Sequence, residues 1–200
     1  ATVNGITCNG SINFYAPLER GPGNPNTIYY GSDRLYRSAD EGLNHTVVSQ
    51  NPIAAGVPIS AIGISPQNDN VRIVGLNNGG LFGTSTGSTT LVDLDPGNTV
   101  PNNLIARTVI DPNSQTTAYV TLSAFNVAGV WKTTNLNAAT PTWTAVATGL
   151  PQVPVDAIVI DPSNSSNVYV GTDIGVYAST NGGASWAPFG TGLPVVAVFG

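Results

Sequence analysis

Charged side chains are scarce in this chain of 200 residues, because they make up only 8% of it, against about 25% in an average soluble protein. The formal net charge is −5, and the six basic residues form no cluster. We therefore expect no nucleic-acid partner. No apolar run approaches the roughly 18 residues of a membrane span, so we expect a soluble chain.

Cysteine, histidine and methionine are also nearly missing, with one Cys, one His and no Met. Cys8 has no partner in the chain, so it is either a free thiol or bonded to a cysteine outside it. The chain opens on ATVNG rather than on Met, and we expect it to be a processed or excised piece of a longer protein. A surface poor in charge and rich in Asn, Ser and Thr is common in secreted bacterial proteins, so an extracellular or periplasmic location is expected.

Glycine and proline are abundant instead, with 23 and 15 residues. Together with many Val, Ile, Thr, Asn and Asp residues, they serve strands and tight turns rather than helices. The composition therefore predicts an all-β fold with many turns.

An internal repeat organises the chain. The tract at 109–112 returns at 159–162 as Val-Ile-Asp-Pro, and Ile64-Ser65-Pro66 is a related element 46 residues before the first of them. The spacing of 41 to 50 residues is close to that of a four-stranded propeller blade. We predict a lead-in over 1–10, blades over 11–56, 57–101, 102–152 and 153–194, and at 195–200 the first strand of a following or closing blade.

A short turn motif recurs in phase with this repeat. Its clearest copies contain Ser38, Asp40 and Gly42 in the first unit and Ser179, Asn181, Gly183 and Trp186 in the last. A short Asp or Asn side chain accepts backbone N–H groups in such a turn, glycine supplies positive φ, and the aromatic ring packs between blades. The motif is therefore expected to be structural.

These copies resemble the Asp-box (BNR repeat), S-x-D-x-G-x-T-W, and the tract 160–186 is most similar to bacterial BNR-repeat proteins of the xyloglucanase type. The superfamily also includes sialidases, sortilin-type receptors and photosystem II assembly factors. The resemblance implies four-stranded antiparallel β-propeller blades. Because such propellers usually close with six, seven or ten blades, it also implies further blades or a partner that covers the open edges.

Candidate catalytic groups are few. Asp33 and Asp173 occupy equivalent hairpin positions in blades one and four, and they are the best available carboxylate pair for glycoside hydrolysis. The alternative interpretation of both is a turn-forming aspartate. Asp156, at the start of a predicted strand, has no counterpart in the other blades.

Other motifs point to ordinary turns and strands. Residues 83–87 match G-x-S-x-G but lack the strand–turn–helix context of a hydrolase. Residues 93–98 begin like a calcium loop, yet the later ligands are absent. We expect no metal and no cofactor.

Arg34, Phe125 and Asn126 lie off the repeat, and they are the candidates for ligand contact. Two functions stay open. The first is a non-catalytic extracellular module that binds a glycan or a protein. The second is a fragment of a secreted glycoside hydrolase, xyloglucanase- or sialidase-like, whose active site is completed by further blades. Short hairpins favour the first.

Overall fold

The computed structural model describes residues 2–190 and 192–199. Ala1, Thr191 and Gly200, which belong to the predicted lead-in, the last blade and the final strand, lie outside the described residues. Every regular element that is described is a β-strand, and no helix long enough and apolar enough to cross a membrane occurs among these residues.

The strands form one short hairpin and four four-stranded antiparallel sheets, each of which is a blade. The hairpin is β1 (Thr2–Val3) and β2 (Ile6–Thr7). Blade 1 contains β3 (Leu18–Arg20), β4 (Ile28–Gly31), β5 (Leu35–Ser38) and β6 (Thr46–Val47). Blade 2 contains β7 (Ile59–Ile64), β8 (Arg72–Leu76), β9 (Leu81–Thr84) and β10 (Val92–Asp93). Blade 3 contains β11 (Ile105–Ile110), β12 (Ala118–Leu122), β13 (Val130–Thr133) and β14 (Thr144–Ala145). Blade 4 contains β15 (Val155–Ile160), β16 (Val168–Thr172), β17 (Gly175–Ser179) and β18 (Ala187–Pro188).

The hydrophobic core lies between the blades. One cluster joins blades 1 and 2 around Tyr29, a second joins blades 2 and 3 around Ile105, and a third joins blades 3 and 4 around Tyr119. All three of these side chains are fully buried. Each blade therefore depends on its neighbour for the burial of its apolar face, as expected for a repeat architecture.

Glycines at the end of the second strand let the next blade approach closely. A Cβ atom on Gly75 would lie 2.3 Å from Ile105 Cγ2 at the start of blade 3, and one on Gly171 would lie 2.6 Å from the Val198 carbonyl oxygen. Val198 N–H also donates to Thr172 O at 3.0 Å, as Ile59 N–H donates to the carbonyl of blade 1 at 2.7 Å. The segment after Pro194 thus contacts blade 4 in the same way as the first strand of blade 2 contacts blade 1.

A buried hydroxyl at the end of the third strand organises the following turn in all four blades. In blade 4, Ser179 Oγ accepts Gly183 N–H at 2.9 Å and donates to Asn181 Oδ1 at 2.8 Å, while Asn181 Oδ1 also accepts Ser185 N–H at 2.9 Å. Gly183 has a φ of 91°, which glycine adopts without strain. The equivalent hydroxyls in the other blades belong to Ser38, Thr84 and Thr133.

Tryptophan indoles connect successive blades. Trp186 Nε1 donates to Val146 O at 2.7 Å, and Trp143 Nε1 donates to Leu94 O at 3.0 Å. Both rings are buried, so each fills an inter-blade gap with its one polar atom paired.

Candidate functional site

Three β-bulges distinguish the first strands of blades 2, 3 and 4. The pairing with the second strand shifts between Ile59 and Ala61 and at the equivalent places in the two later blades. The residues left out of the pairing are Ser60, Ala106 and Asp156. A bulge bends the strand and redirects a side chain, and such bulges are frequent beside binding sites.

These three residues line one groove of about 540 Å³ at the end of the array where the first strands begin. Phe199, which follows Val198 at the edge of blade 4, lines it as well. First strands from different blades thus converge on one opening, which we call the mouth.

Exposed aromatic rings flank the mouth. Phe14 and Tyr15 are 93% and 86% exposed, and Phe199 is 72% exposed. The Phe14 and Tyr15 rings contact each other edge to face, with centroids 4.9 Å apart. Asn13 and Asn77 supply amide groups to the same groove. Aromatic faces beside amides are suited to a ligand with both apolar faces and hydroxyl groups.

A second cavity, of about 280 Å³, lies between the first strands of all four blades. Arg107 lines both this cavity and the mouth. Burial raises the pKa of Glu19, on the first strand of blade 1, and the positive charge of Arg107 offsets part of this rise. Arg107 is thus the basic group between the carboxylates of blades 1 and 4.

Asp156 brings an acidic group to the mouth. Burial raises the pKa of its carboxyl, and Asp173 raises it further through its negative charge and a hydrogen bond. A hydrogen bond from Ser123 and the charge of Arg107 act in the opposite direction. Asp173 therefore favours the protonated form of Asp156, whose side chain lines the groove.

Asp33 and Arg34, predicted as catalytic and ligand-binding candidates, are bonded to each other. Arg34 Nε donates to one carboxylate oxygen of Asp33 at 2.7 Å, and Nη2 donates to the other at 3.0 Å. Both side chains are 9% exposed. Burial opposes ionisation, but hydrogen bonds from Arg34, Ser32 and Ser11 N–H, with the arginine charge, hold the pKa of Asp33 below its usual range.

The other predicted residues lie apart from one another. Asp173, although it occupies the position of Asp33 in its own blade, interacts with Asp156 instead and raises the pKa of that carboxyl. Phe125 is 62% exposed in the β12–β13 connection, and Asn126 beside it is exposed with a φ of 60°. Neither residue is among those that line the mouth.

The remaining motifs are turns and strands. Asp95 accepts Thr99 N–H at 3.0 Å and Val100 N–H at 2.8 Å, so its carboxylate closes a local turn. The G-x-S-x-G tract begins on the third strand of blade 2. Among the described residues no group of three or more His, Cys, Asp and Glu side chains is arranged to hold a metal ion.

Sequence reasoning missed the aromatic residues of the mouth. Phe14 and Tyr15 precede the first strand of blade 1, where the repeat offers no counterpart to compare. Two adjacent large aromatic residues ahead of the repeated strands were a usable signal of an exposed binding surface, because no buried strand accounts for them there. Asn13 and Asn77 gave no signal in the sequence.

Solved structures share this fold. The chain is similar to an ancestral GH74 enzyme, with a TM-score of 0.73 and 23% identity over 96% of this chain and 26% of the enzyme. It is also similar to the GH74 xyloglucanase from Xanthomonas campestris, with a TM-score of 0.70 and 18% identity over 93% of this chain and 31% of the enzyme. A third similar structure is YCF48 bound to D1 peptide, with a TM-score of 0.55 and 13% identity over 83% of this chain and 50% of that protein.

No protein-family model matches the chain, and no curated protein matches it in sequence. At these identities the similarity establishes the fold alone. The predicted all-β propeller architecture is confirmed: the chain consists of four-stranded blades of a larger propeller. It spans 26% and 31% of the length of the two GH74 enzymes.

Proposed function

We propose that this chain is an extracellular carbohydrate-binding part of an Asp-box propeller, and that a glycan binds at the mouth without being cleaved there. The observation that carries the proposal is the combination of three exposed rings with guanidinium and carboxyl groups around one groove. Sugar rings present apolar C–H faces that pack on aromatic rings, and hydroxyl groups that pair with charged groups. The low surface charge supports an extracellular setting.

The carboxyl groups support binding rather than hydrolysis. Glycosidases hold their two carboxyls about 5–5.5 Å apart in retaining enzymes and about 6.5–9.5 Å apart in inverting ones. Asp156 carries the one carboxyl group among the described residues that line the mouth, whereas hydrolysis needs two. Asp33 has both oxygens engaged by Arg34.

A direct test is the binding of the purified chain to a glycan array, followed by calorimetry with the best oligosaccharide. Phe14→Ala and Tyr15→Ala are expected to weaken binding about tenfold or more, which corresponds to about 1.4 kcal/mol. Phe125→Ala is the matched control, since it removes an exposed aromatic ring outside the mouth. Binding that is lost with Phe125→Ala and kept by the other two variants would place the site elsewhere.

The alternative is a fragment of a glycoside hydrolase whose cleft is completed by further blades. It is favoured by the raised pKa of Asp156, because a general acid in a glycosidase needs a raised pKa. Sugar release from β-glucans by the chain, abolished by Asp156→Asn, Asp173→Ala or Asp33→Ala, would establish it and overturn the non-catalytic proposal.

A further inference from the structure

Two of the three exposed rings of the mouth, Phe14 and Tyr15, belong to a segment without regular structure, residues 10–17, which we call the arm. Phe14 and Tyr15 contact each other but are almost fully exposed, so burial does not fix them. Ordering a loose segment when a ligand binds reduces affinity. The position of the rings in the free protein therefore depends on what holds the arm.

Asp33 holds the beginning of the arm. The Ser11 N–H group helps to hold the pKa of the Asp33 carboxyl below the usual range. Gly10 lies so close that a Cβ atom there would be 2.5 Å from Asp33 Oδ1, which only glycine permits. Arg34 fixes the same carboxylate from the other side.

Asn77 holds the middle of the arm. Its side-chain Nδ2 donates to Asn13 Oδ1, and Asn13 Nδ2 donates to Ile59 O at 2.7 Å. The arm then rejoins blade 1, where Gly31 N–H donates to Pro17 O at 3.0 Å. Asn13, directly before the two rings, is thus bonded to blade 2 through both atoms of its amide.

The two holding residues occupy the same position in successive blades, at the start of the connection from the second strand to the third. Asn77 follows Leu76 in blade 2 as Asp33 follows Ser32 in blade 1, and Ser123 and Asp173 are their equivalents in blades 3 and 4. Ser123 and Asp173 both act on the pKa of Asp156, Ser123 lowering it and Asp173 raising it. This one position therefore contacts the arm in two blades and influences the acidic group of the mouth in the other two.

We propose that Asp33 and Asn77 are positioning residues. They hold the arm in place beside the mouth and thereby determine the affinity of the glycan site. This inference rests on the proposed function. Asp33 acts at a distance from the ligand, because both of its carboxylate oxygens accept hydrogen bonds from Arg34. Asn77 acts through Asn13 on the rings that follow it.

The test combines glycan affinity with amide hydrogen exchange in the full chain. Asn77→Asp keeps the side-chain shape but removes the donor to Asn13, and Asp33→Asn weakens the pairing with Arg34. Each is expected to speed exchange within residues 10–17, to leave the exchange of the sheets unchanged, and to weaken binding roughly tenfold. Asn137→Asp, the same change at an exposed turn position, is the control.

A second comparison separates positioning from direct contact. In a Tyr15→Ala background, Asn77→Asp is expected to weaken binding little further, since the ring that it positions is gone. If the losses of binding free energy from Asn77→Asp and Tyr15→Ala add fully, Asn77 contacts the glycan directly and the inference is overturned. The same conclusion follows if Asn77→Asp weakens binding while amide exchange in the arm stays as in the wild type. Faster arm exchange with unchanged affinity would overturn it too. If the wild type binds no glycan at all, the proposed function fails, while the exchange data still decide whether the two residues hold the arm.

Discussion

Replacing Tyr29 by phenylalanine tests the contact between blades 1 and 2. The Tyr29 ring is fully buried, and its hydroxyl accepts Arg37 Nε at 2.9 Å and donates to Asp69 O at 3.4 Å. Arg37 and Arg72 lie 5.9 and 5.5 Å from the ring centroid. Loss of the hydroxyl removes a hydrogen bond to a charged group but keeps the ring, so we expect a cost of about 1–2 kcal/mol near neutral pH.

The pH dependence makes this prediction specific. Burial, with the hydrogen bond to Asp69, raises the pKa of Tyr29 from 10.0 to about 12, although Arg72 and Arg37 oppose the rise. Because the folded state holds the proton more tightly, this stabilisation is complete below pH 10 and is lost as the pH rises through 12. At about 1.4 kcal/mol per pKa unit, the wild type loses about 1.4 kcal/mol by pH 11, and the variant loses none of this contribution.

Urea denaturation followed by circular dichroism at pH 8 to 11 measures the difference. The wild type is expected to be more stable at pH 8 and to lose most of that advantage by pH 11. Tyr15→Phe, which removes a phenol from a ring that is 86% exposed, is expected to follow the wild type. Curves for the wild type and Tyr29→Phe that stay parallel up to pH 11 would refute the reasoning.

Three further changes test the turns and the blade contacts. Hydrogen bonds from Asn44 and other residues of its turn lower the pKa of Asp40 to about 2. The contribution of Asp40 to the stability of the folded state is therefore present above pH 3.8 and lost as the pH falls through 2. Urea midpoints measured between pH 5 and 2 should consequently fall less steeply for Asp40→Asn than for the wild type. Trp186→Phe leaves a blade 3 carbonyl without its donor and should cost about 1–3 kcal/mol in urea unfolding, with Trp186→Ala costing about 3–5 kcal/mol. Gly75→Ala forces a Cβ into the first strand of blade 3 and should lower stability by about 1–3 kcal/mol, whereas Gly97→Ala, which meets only one atom at 3.7 Å, should be nearly neutral by the same measurement.

Local features of the fold were predictable from the sequence. The repeat predicted four-stranded units, and the turn containing Ser179 and Asn181 depends only on residues close together in the chain. The equivalence of Asp33 and Asp173 also agrees with the strand pairing, in which each follows the second strand by one or two residues.

Contacts between distant segments were not predictable. Asp33 lies against an arm that has no counterpart in the repeat, and Asp173 raises the pKa of a bulged residue of its own blade. A bulge depends on how two strands pair. The residues at the three bulges are Ser60, Ala106 and Asp156, which share no chemical property, so no residue type in the first strands predicts a bulge. The partners of equivalent residues therefore differ although the positions agree.

The bulges have a consequence for redesign. A side chain that lies outside the strand pairing can be exchanged without changing the backbone hydrogen bonds of its sheet, and natural Ser, Ala and Asp at these places illustrate that tolerance. Position 106, where the side chain is only a methyl group, is thus a replaceable site on a rigid frame, whereas Ser60 Oγ donates to Gly75 O at 3.2 Å. An acidic, basic or aromatic residue introduced at position 106 would alter what the mouth binds while the blade beneath it stays intact.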